Sequence, residues 1–94
     1  MRAVHPGRIL KRELKAREMS ANQLALALRL SSGRITEILN EKRGISPETA
    51  LRLARFFGNS ARFWLNLQTA FELAIAEEKI GPRVEEEVKP AAAA

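Results

Sequence analysis

One stretch of the sequence, residues 20–43 (SANQLALALRLSSGRITEILNEKR), limits the folds open to this chain more than any other. It begins with Ser20, a good N-cap because its hydroxyl accepts a hydrogen bond from a backbone N–H in the first turn of a helix. Leu24 and Leu28 lie four residues apart and therefore share one face of that helix. Ala25 is small and lies on the same inner side, where a second helix can approach closely. The stretch thus starts with a short helix that has one apolar face.

A second short helix follows after the helical pattern breaks near Arg29. Either Ser31 or Ser32 can cap it. Its buried side carries large apolar residues at helical spacing (Ile35, Ile38, Leu39), and its outer side carries polar ones (Arg34, Thr36, Glu37, Asn40). Arg29 is expected at the left-handed position of the turn, where a non-glycine residue is uncommon but allowed. We therefore expect a turn that is either slightly strained or differently shaped.

A short helix, a tight turn and a second helix with a polar outer face are typical of a helix-turn-helix, whose second helix fits the major groove of DNA. The plainer alternative is an ordinary pair of antiparallel helices in a small helical protein. Periodicity alone does not separate the two interpretations, but the distribution of charge favours DNA binding.

Positive charge is concentrated in the front of the chain. Residues 1–62 carry thirteen Lys and Arg against five Asp and Glu, whereas residues 63–94 carry three against six. A basic front and an acidic rear suggest that the front binds a polyanion. A membrane surface fits less well, because the basic residues are spread over several helices and not gathered on one amphipathic face.

Length and composition set further limits. The chain has 94 residues, enough for one small domain. It has no Cys, which excludes disulfides and thiolate metal sites and fits the cytoplasm. No apolar run is long enough to span a membrane, and the N-terminus lacks the apolar region of a signal peptide. We therefore predict a cytoplasmic protein that does not enter a membrane.

The sequence carries no arrangement typical of catalysis. It has no Gly-rich phosphate loop or dinucleotide fingerprint. Its one histidine, His5, lies in a segment that we predict to be flexible, with no nucleophile held beside it. The glutamates of the rear form solvated patches and not a spaced acid–base pair. We expect no enzyme activity, no cofactor and no metal.

Three further helices complete a predicted all-α, five-helix fold. The first spans about residues 7–17. Another begins at the N-cap Ser46 and ends before Gly58, a residue suited to the left-handed position after a helix. The last begins at the N-cap Ser60 and runs to about Lys79.

The predicted domain boundaries follow from these helices. Gly81 and Pro82 are expected to end the last helix, because proline interrupts the backbone hydrogen bonds of a helix. We divide the chain into an N-terminal arm (1–6), a helix-turn-helix domain that includes the C-terminal helix (7–80) and a flexible tail (81–94).

The last helix carries two apolar stripes on nearly opposite sides. One gathers Phe63, Trp64, Leu67, Phe71, Ala74 and Ile75, and the other gathers Leu65, Leu73, Ala76 and Ile80. One stripe can pack on the core of the chain itself. The other stripe must then be buried by a different surface. We expect a dimer interface and assign to it Phe63, Trp64, Leu67, Phe71 and Ile75, although the sequence leaves open which stripe forms it. The alternative is a helix sandwiched within one subunit.

Several motifs together resemble the HigA-type antitoxins, which are Cro-like helix-turn-helix proteins of the xenobiotic-response-element class. The resemblance covers about residues 5–76, and its most specific part is FWLNLQ at residues 63–68. The matching segments are His5-Pro6-Gly7 with Ile9-Leu10, Asn22-Gln23-Leu24-Ala25, Arg34-Ile35 with Glu37-Ile38, Lys42-Arg43-Gly44-Ile45, Thr49-Ala50-Leu51-Arg52-Leu53-Ala54, and Phe63-Trp64-Leu65-Asn66-Leu67-Gln68.

The resemblance implies functions that composition does not show. Such proteins form dimers through their C-terminal helices, bind palindromic operators ahead of their own operon and repress it. They also bind and neutralise a small mRNA-cleaving toxin of the HigB type (RelE-like). The expected partners are therefore double-stranded operator DNA, a second copy of the chain and that toxin. A free-standing repressor without a toxin is the main alternative, and a pure protein-interaction module is a weaker one.

The helix-turn-helix geometry assigns roles to ten residues. We expect five of them near base edges (Ser32, Arg34, Thr36, Glu37, Asn40) and five near phosphates (Ser20, Asn22, Gln23, Lys42, Arg43). The sequence also departs from the family pattern, which often has Gly at the positions of Arg29 and Glu41 and Pro near Ser32 and Gly33. These departures affect the turn geometry and the base preference but not the fold.

Overall fold

The structure, a computed structural model, describes residues 3–92. Over that range the chain forms five helices and no strand, which confirms the predicted all-α fold. The helices are α1 (Pro6–Ala16), α2 (Ala21–Leu28), α3 (Ser32–Leu39), α4 (Pro47–Phe57) and α5 (Ala61–Glu87). Helices α2 and α3 form the predicted helix-turn-helix, and α5 packs mainly on α4 and also touches α1.

Serine side chains start four of the five helices. Ser20 accepts a hydrogen bond from the Gln23 N–H at 3.1 Å, and the Gln23 side chain accepts one from the Ser20 N–H at 2.8 Å. This reciprocal pair is a capping box, which satisfies two backbone donors at once. At the third helix, Ser31 and not Ser32 is the cap, and its hydroxyl accepts from the Arg34 N–H at 3.1 Å. Ser46 and Ser60 cap α4 and α5 as predicted.

The turn between α2 and α3 has the predicted backbone. Arg29 adopts the left-handed conformation, with φ 60° and ψ 40°. Its N–H still bonds to the carbonyls at the end of α2, so the helix ends with its hydrogen bonds made. Glu41, the other position where the family often has Gly, is also left-handed, with φ 61°. The two departures from the family pattern therefore coincide with strained backbone.

The core lies where all five helices meet. Its largest fully buried apolar side chains come from every helix (Leu10, Leu24, Ile35, Ile38, Leu53, Trp64). Leu51 of α4 does not belong to this core, since it is 64 % exposed. The buried positions of α4 are 49, 50, 53 and 54, so the helical period turns Leu51 outward.

The predicted N-terminal arm is also corrected. His5 and Pro6 are buried, and α1 already begins at Pro6. The His5 ring fixes this start, because its Nδ1 accepts a hydrogen bond from the Gly7 N–H at 2.9 Å. The ring also packs edge-on against Phe71 of α5, with 4.8 Å between the ring centroids. Residues 1 and 2 of the predicted arm lie outside the described range.

The end of α5 differs from the prediction. The helix does not stop at Gly81 and Pro82 but continues to Glu87 with Pro82 inside it. Proline removes one backbone hydrogen bond, here the one to the carbonyl of Glu78. This part of the helix is exposed, so water can bond that carbonyl. The predicted tail of residues 81–94 therefore begins with helix, and its last two residues lie outside the described range.

Candidate nucleic-acid interface

The outer face of α3 presents a row of polar side chains. Ile35 and Ile38 are fully buried and anchor the inner face. Exposed polar residues lie at the start of α3, between the two isoleucines and just after the helix (Ser32, Thr36, Glu37, Asn40). The structure therefore places four of the five predicted base-reading residues on one open surface.

Arg34, the fifth predicted base-reading residue, leans toward α4. Its Nη1 lies 3.4 Å from an oxygen of Glu48, and its side chain is 32 % exposed. The other Glu48 oxygen lies 3.3 Å from Arg52. Exposed ion pairs of this kind contribute only about 0–1 kcal/mol, so Arg34 is free to exchange Glu48 for DNA. No sequence pattern indicates this pair, because its members lie on different helices.

Glu37 and Arg43 pair with each other across the end of α3. The Arg43 Nε donates to a Glu37 oxygen at 2.8 Å, and both side chains are about half exposed. The pair joins a predicted base-reading residue to a predicted phosphate-binding residue. A carboxylate so close to the guanidinium holds the Arg43 side chain beside the end of the helix.

The N-terminus of α2 supplies the next group of predicted phosphate contacts. Asn22 is exposed in the first turn. The side chains of Ser20 and Gln23 are engaged with each other's backbone in the capping box. An exposed helix N-terminus attracts phosphate through its free N–H groups and its dipole. The capping box leaves that dipole in place, so the end of α2 still suits a phosphate.

The loop after α3 carries the last two predicted phosphate contacts, Lys42 and Arg43, and both are exposed. The Lys42 N–H donates to the Glu37 carbonyl at 2.8 Å, which ties the loop back to α3. On the other side, the Ile45 N–H donates to the side-chain oxygen of Gln68 in α5 at 2.8 Å. The sequence pattern did not reveal Gln68, because only the fold brings it near the loop.

The residues assigned to a dimer interface divide into two groups. Trp64 is 1 % exposed in the single chain, and its Nε1 donates to Asn59 at 2.9 Å. It therefore belongs to the core and offers no surface to a second copy, and its assignment to the interface is wrong. Phe63 is exposed, and the others are partly buried (Leu67, Phe71, Ile75). On the opposite side of α5, Leu73, Ile80 and Val84 stay open.

His5 is the one histidine of the sequence, and its ring is buried. Burial of the ring lowers the pKa of His5 below its ordinary value, while the nearby negative charge of Glu41 acts in the opposite direction. The described residues bring together no three His, Cys, Asp or Glu that could hold a metal ion. No helix in residues 3–92 is both long and apolar enough to cross a membrane.

Comparison with known proteins supports the helix-turn-helix assignment. A family model described as helix-turn-helix matches residues 10–64. The structure of a HigA-family addiction module antidote protein from Coxiella burnetii is 52 % identical, with a TM-score of 0.93, over 96 % of this chain and 99 % of that one. HigA of Pseudomonas aeruginosa, solved with the higBA promoter, is 42 % identical, with a TM-score of 0.93, over 97 % of this chain and 100 % of that one. Virulence-associated protein I of Dichelobacter nodosus is 54 % identical over 79 residues, which are 83 % of this chain and 73 % of the relative.

A pair of helices anchored in the core, with an exposed polar face on the second helix, defines a helix-turn-helix protein. Within that class, the chain belongs to the HigA family.

Proposed function

We propose that this protein is the antitoxin of a type II toxin–antitoxin module. In this proposal it binds operator DNA as a dimer, represses its own operon and neutralises a small mRNA-cleaving toxin of the HigB type (RelE-like) by direct binding. The observation that carries the DNA-binding part is the polar outer face of α3, held rigidly by its buried isoleucines. A relative with the same fold was solved with its promoter DNA, which supports the same part.

In the DNA complex, α3 acts as the recognition helix and enters the major groove. Asn40 has the chemistry to read adenine, Glu37 to accept from cytosine, and Arg34 to bond guanine bidentately. Ser32 and Thr36 contact base edges through their hydroxyls. Lys42, Arg43 and the N-terminus of α2 bind phosphates on either side, which adds affinity but little sequence information.

Arg34→Ala tests the recognition helix. Removing a base-reading arginine should weaken operator binding by ~1–3 kcal/mol and relax the preference at one base position. Binding is measured by fluorescence anisotropy on the DNA upstream of the gene and on single-base variants of it. Lys11→Ala, at an exposed position of α1, is the matched control, since it removes one positive charge outside the proposed interface. Unchanged affinity and unchanged site preference would show that α3 does not read the bases.

We propose that the dimer forms through the open stripe of α5. Ala70, Leu73, Glu77, Ile80 and Val84 follow one another at alternating spacings of three and four residues. Residues at this spacing form a seam along one side of a helix, where a second helix can pack against it. Leu73, Ile80 and Val84 are all exposed in the single chain. The stripe around Trp64 instead packs on the body of the chain.

A palindromic operator follows from such a dimer. Two recognition helices related by a twofold axis reach half-sites about one helical turn apart, ~34 Å, as in other helix-turn-helix dimers. Increasing the distance between the half-sites by half a turn of DNA should abolish tight binding, because one recognition helix would then face away from its groove.

The toxin-binding part is tested by co-expression. The tagged chain is produced together with the product of the nearest small neighbouring gene, and the pair is analysed by gel filtration. A stable complex that relieves growth inhibition supports the antitoxin. A dimer with no partner and no toxicity to relieve supports a free-standing repressor. A protein without salt-dependent DNA binding would instead be an interaction module.

A further inference from the structure

The loop after the recognition helix, residues 40–46, is held from two sides by residues outside the helix-turn-helix. On one side, Gln68 of α5 accepts a hydrogen bond from the Ile45 N–H at 2.8 Å. On the other side, Arg8 of α1 lies 3.4 Å from Glu41. The loop carries Lys42 and Arg43 between these two attachments. Its position is therefore set by α1 and α5 and not by α3 alone.

The attachment to α5 is close and specific. A Cβ added to Gly44 would lie 2.7 Å from the Gln68 Nε2 and 2.8 Å from its Cδ, so the amide lies directly against the backbone of Gly44. Ile45 is buried next to it. A half-buried N–H that loses its acceptor is left without a hydrogen bond, which is unfavourable. The hydrogen bond to Gln68 therefore stabilises this position of the loop.

The same face of α5 also fixes the α1 side of the loop. Phe71 follows Gln68 by three residues and contacts the ring of His5. His5 in turn caps α1 and bonds Gly7, which lies against the carbonyl of Ile38 at the end of α3. One turn of α5 therefore connects to both sides of the loop.

We propose that Gln68 is a positioning residue for operator binding. Through its hydrogen bond to Ile45 it holds the loop where Lys42 and Arg43 reach DNA phosphates. A loop released from this hydrogen bond leaves that position, so the two phosphate contacts are lost and operator affinity falls with them. This inference rests on the proposed function, because it assumes that the loop contacts operator DNA.

Gln68→Met tests the proposal, because methionine fills nearly the same space and removes the acceptor. Operator affinity is measured over a series of KCl concentrations, and stability by urea unfolding. We expect roughly tenfold weaker binding and a plot of log K against log[salt] that is flatter by about 1–2, since each phosphate contact contributes about 0.9 to that slope. Asn66 is an exposed residue of the same helix, and the control variant Asn66→Met should leave both the operator affinity and the salt slope unchanged.

A double-mutant cycle separates positioning from a general structural role. In the Lys42→Ala/Arg43→Ala background, Gln68→Met should still lower stability but should add no further loss of operator affinity, because the contacts it serves are already gone. The same tenfold loss in that background would overturn the proposal, and so would a wild-type salt slope in the single variant. If Gln68→Met does not fold, Gln68→Asn, which withdraws the amide by one methylene, carries the same expectations.

The wild-type titration separates this inference from the proposed function. A wild-type protein that does not bind its own upstream DNA would overturn the proposed function, and the role of Gln68 with it. If the wild type binds and the Gln68→Met variant has the same operator affinity and the same salt dependence, only the role of Gln68 is overturned.

Discussion

At the scale of single residues, Gly7 is the position whose side chain is most tightly limited by its surroundings. An added Cβ would overlap the backbone carbonyl of Ile38 in α3. A backbone carbonyl cannot rotate away as a flexible side chain can, so the clash is relieved only by moving α1 and α3 apart. The close approach of these two helices therefore depends on glycine at this position.

Gly7→Ala should lower the free energy of unfolding by about 1–3 kcal/mol, the usual cost of overpacking. Urea unfolding followed by circular dichroism measures it. Gly33→Ala is the matched control, because a Cβ there meets nothing within 4 Å and the residue lies in a helix. Alanine should raise stability at Gly33 by up to ~1 kcal/mol. Equal effects at the two positions would contradict the close contact.

His5 predicts a pH dependence of stability. Burial lowers its pKa in the folded state, so between the folded value and the unfolded value of about 6.5 the unfolded chain binds more protons. The contribution of His5 to the free energy of unfolding is therefore complete above pH ~6.5 and is lost as the pH falls through the folded pKa.

Urea unfolding of the wild type between about pH 7.5 and pH 5 measures this dependence across the ordinary pKa of histidine. His5→Asn, which keeps a good N-cap but does not titrate, should show a smaller loss of stability over the same range. Because His5 is the only histidine, parallel curves for the two proteins would rule out its titration as the cause.

At the scale of secondary-structure elements, the strained turn between α2 and α3 yields the next prediction. Arg29→Gly should raise the free energy of unfolding by roughly 0.5–1 kcal/mol, because glycine adopts the left-handed conformation without steric cost and this gain exceeds its larger loss of chain entropy. Thermal unfolding measures the change. Glu41→Gly should help less, since it also removes the ion pair with Arg8. A less stable Arg29→Gly protein would show that the arginine side chain supports the turn.

The starts of α2, α4 and α5 were easier to predict than the contacts between helices. Ser20, Ser46 and Ser60 are N-caps in the sequence and in the structure, because a cap acts within three residues of itself. The contacts that shape the site are not local. Arg34 pairs with Glu48 fourteen residues away, and Ile45 bonds Gln68 twenty-three residues away. Only the packed helices bring such pairs together, so the sequence predicted the polar face and the buried isoleucines of α3 but not the long-range contacts of Arg34 and Ile45.

The continuation of α5 past Pro82 gives a prediction about that helix. Pro82→Ala restores a backbone donor to the Glu78 carbonyl and removes a penalty of about 3 kcal/mol for proline inside a helix. Amide hydrogen exchange at residues 83–87 should therefore become slower. Pro90→Ala, beyond the end of α5, is the control and should leave exchange there unchanged. Fast exchange in both variants would mean that the helix frays for reasons other than Pro82.

At the scale of the whole molecule, the surfaces that we propose for DNA binding and for dimerisation lie in different parts of the chain. The proposed DNA-binding residues lie between 20 and 43, within the basic front, whereas the open stripe of α5 lies in the acidic rear. The proposed dimer can therefore be disrupted without changing any residue of the recognition helix.

Leu73→Glu should convert the proposed dimer to a monomer, because it replaces a large apolar residue of the seam with a second carboxylate four residues from Glu77, which would be buried unpaired and repelled by a like charge. Analytical ultracentrifugation measures the mass, and titration on operators with one or two half-sites measures binding. The variant should bind both operators equally and weakly, whereas the wild type should strongly prefer two half-sites. Leu51→Glu is the matched control, since Leu51 is 64 % exposed and Leu73 57 %, but Leu51 lies on α4 outside the seam. A dimeric Leu73→Glu protein together with a monomeric Leu51→Glu protein would move the interface from α5 to α4.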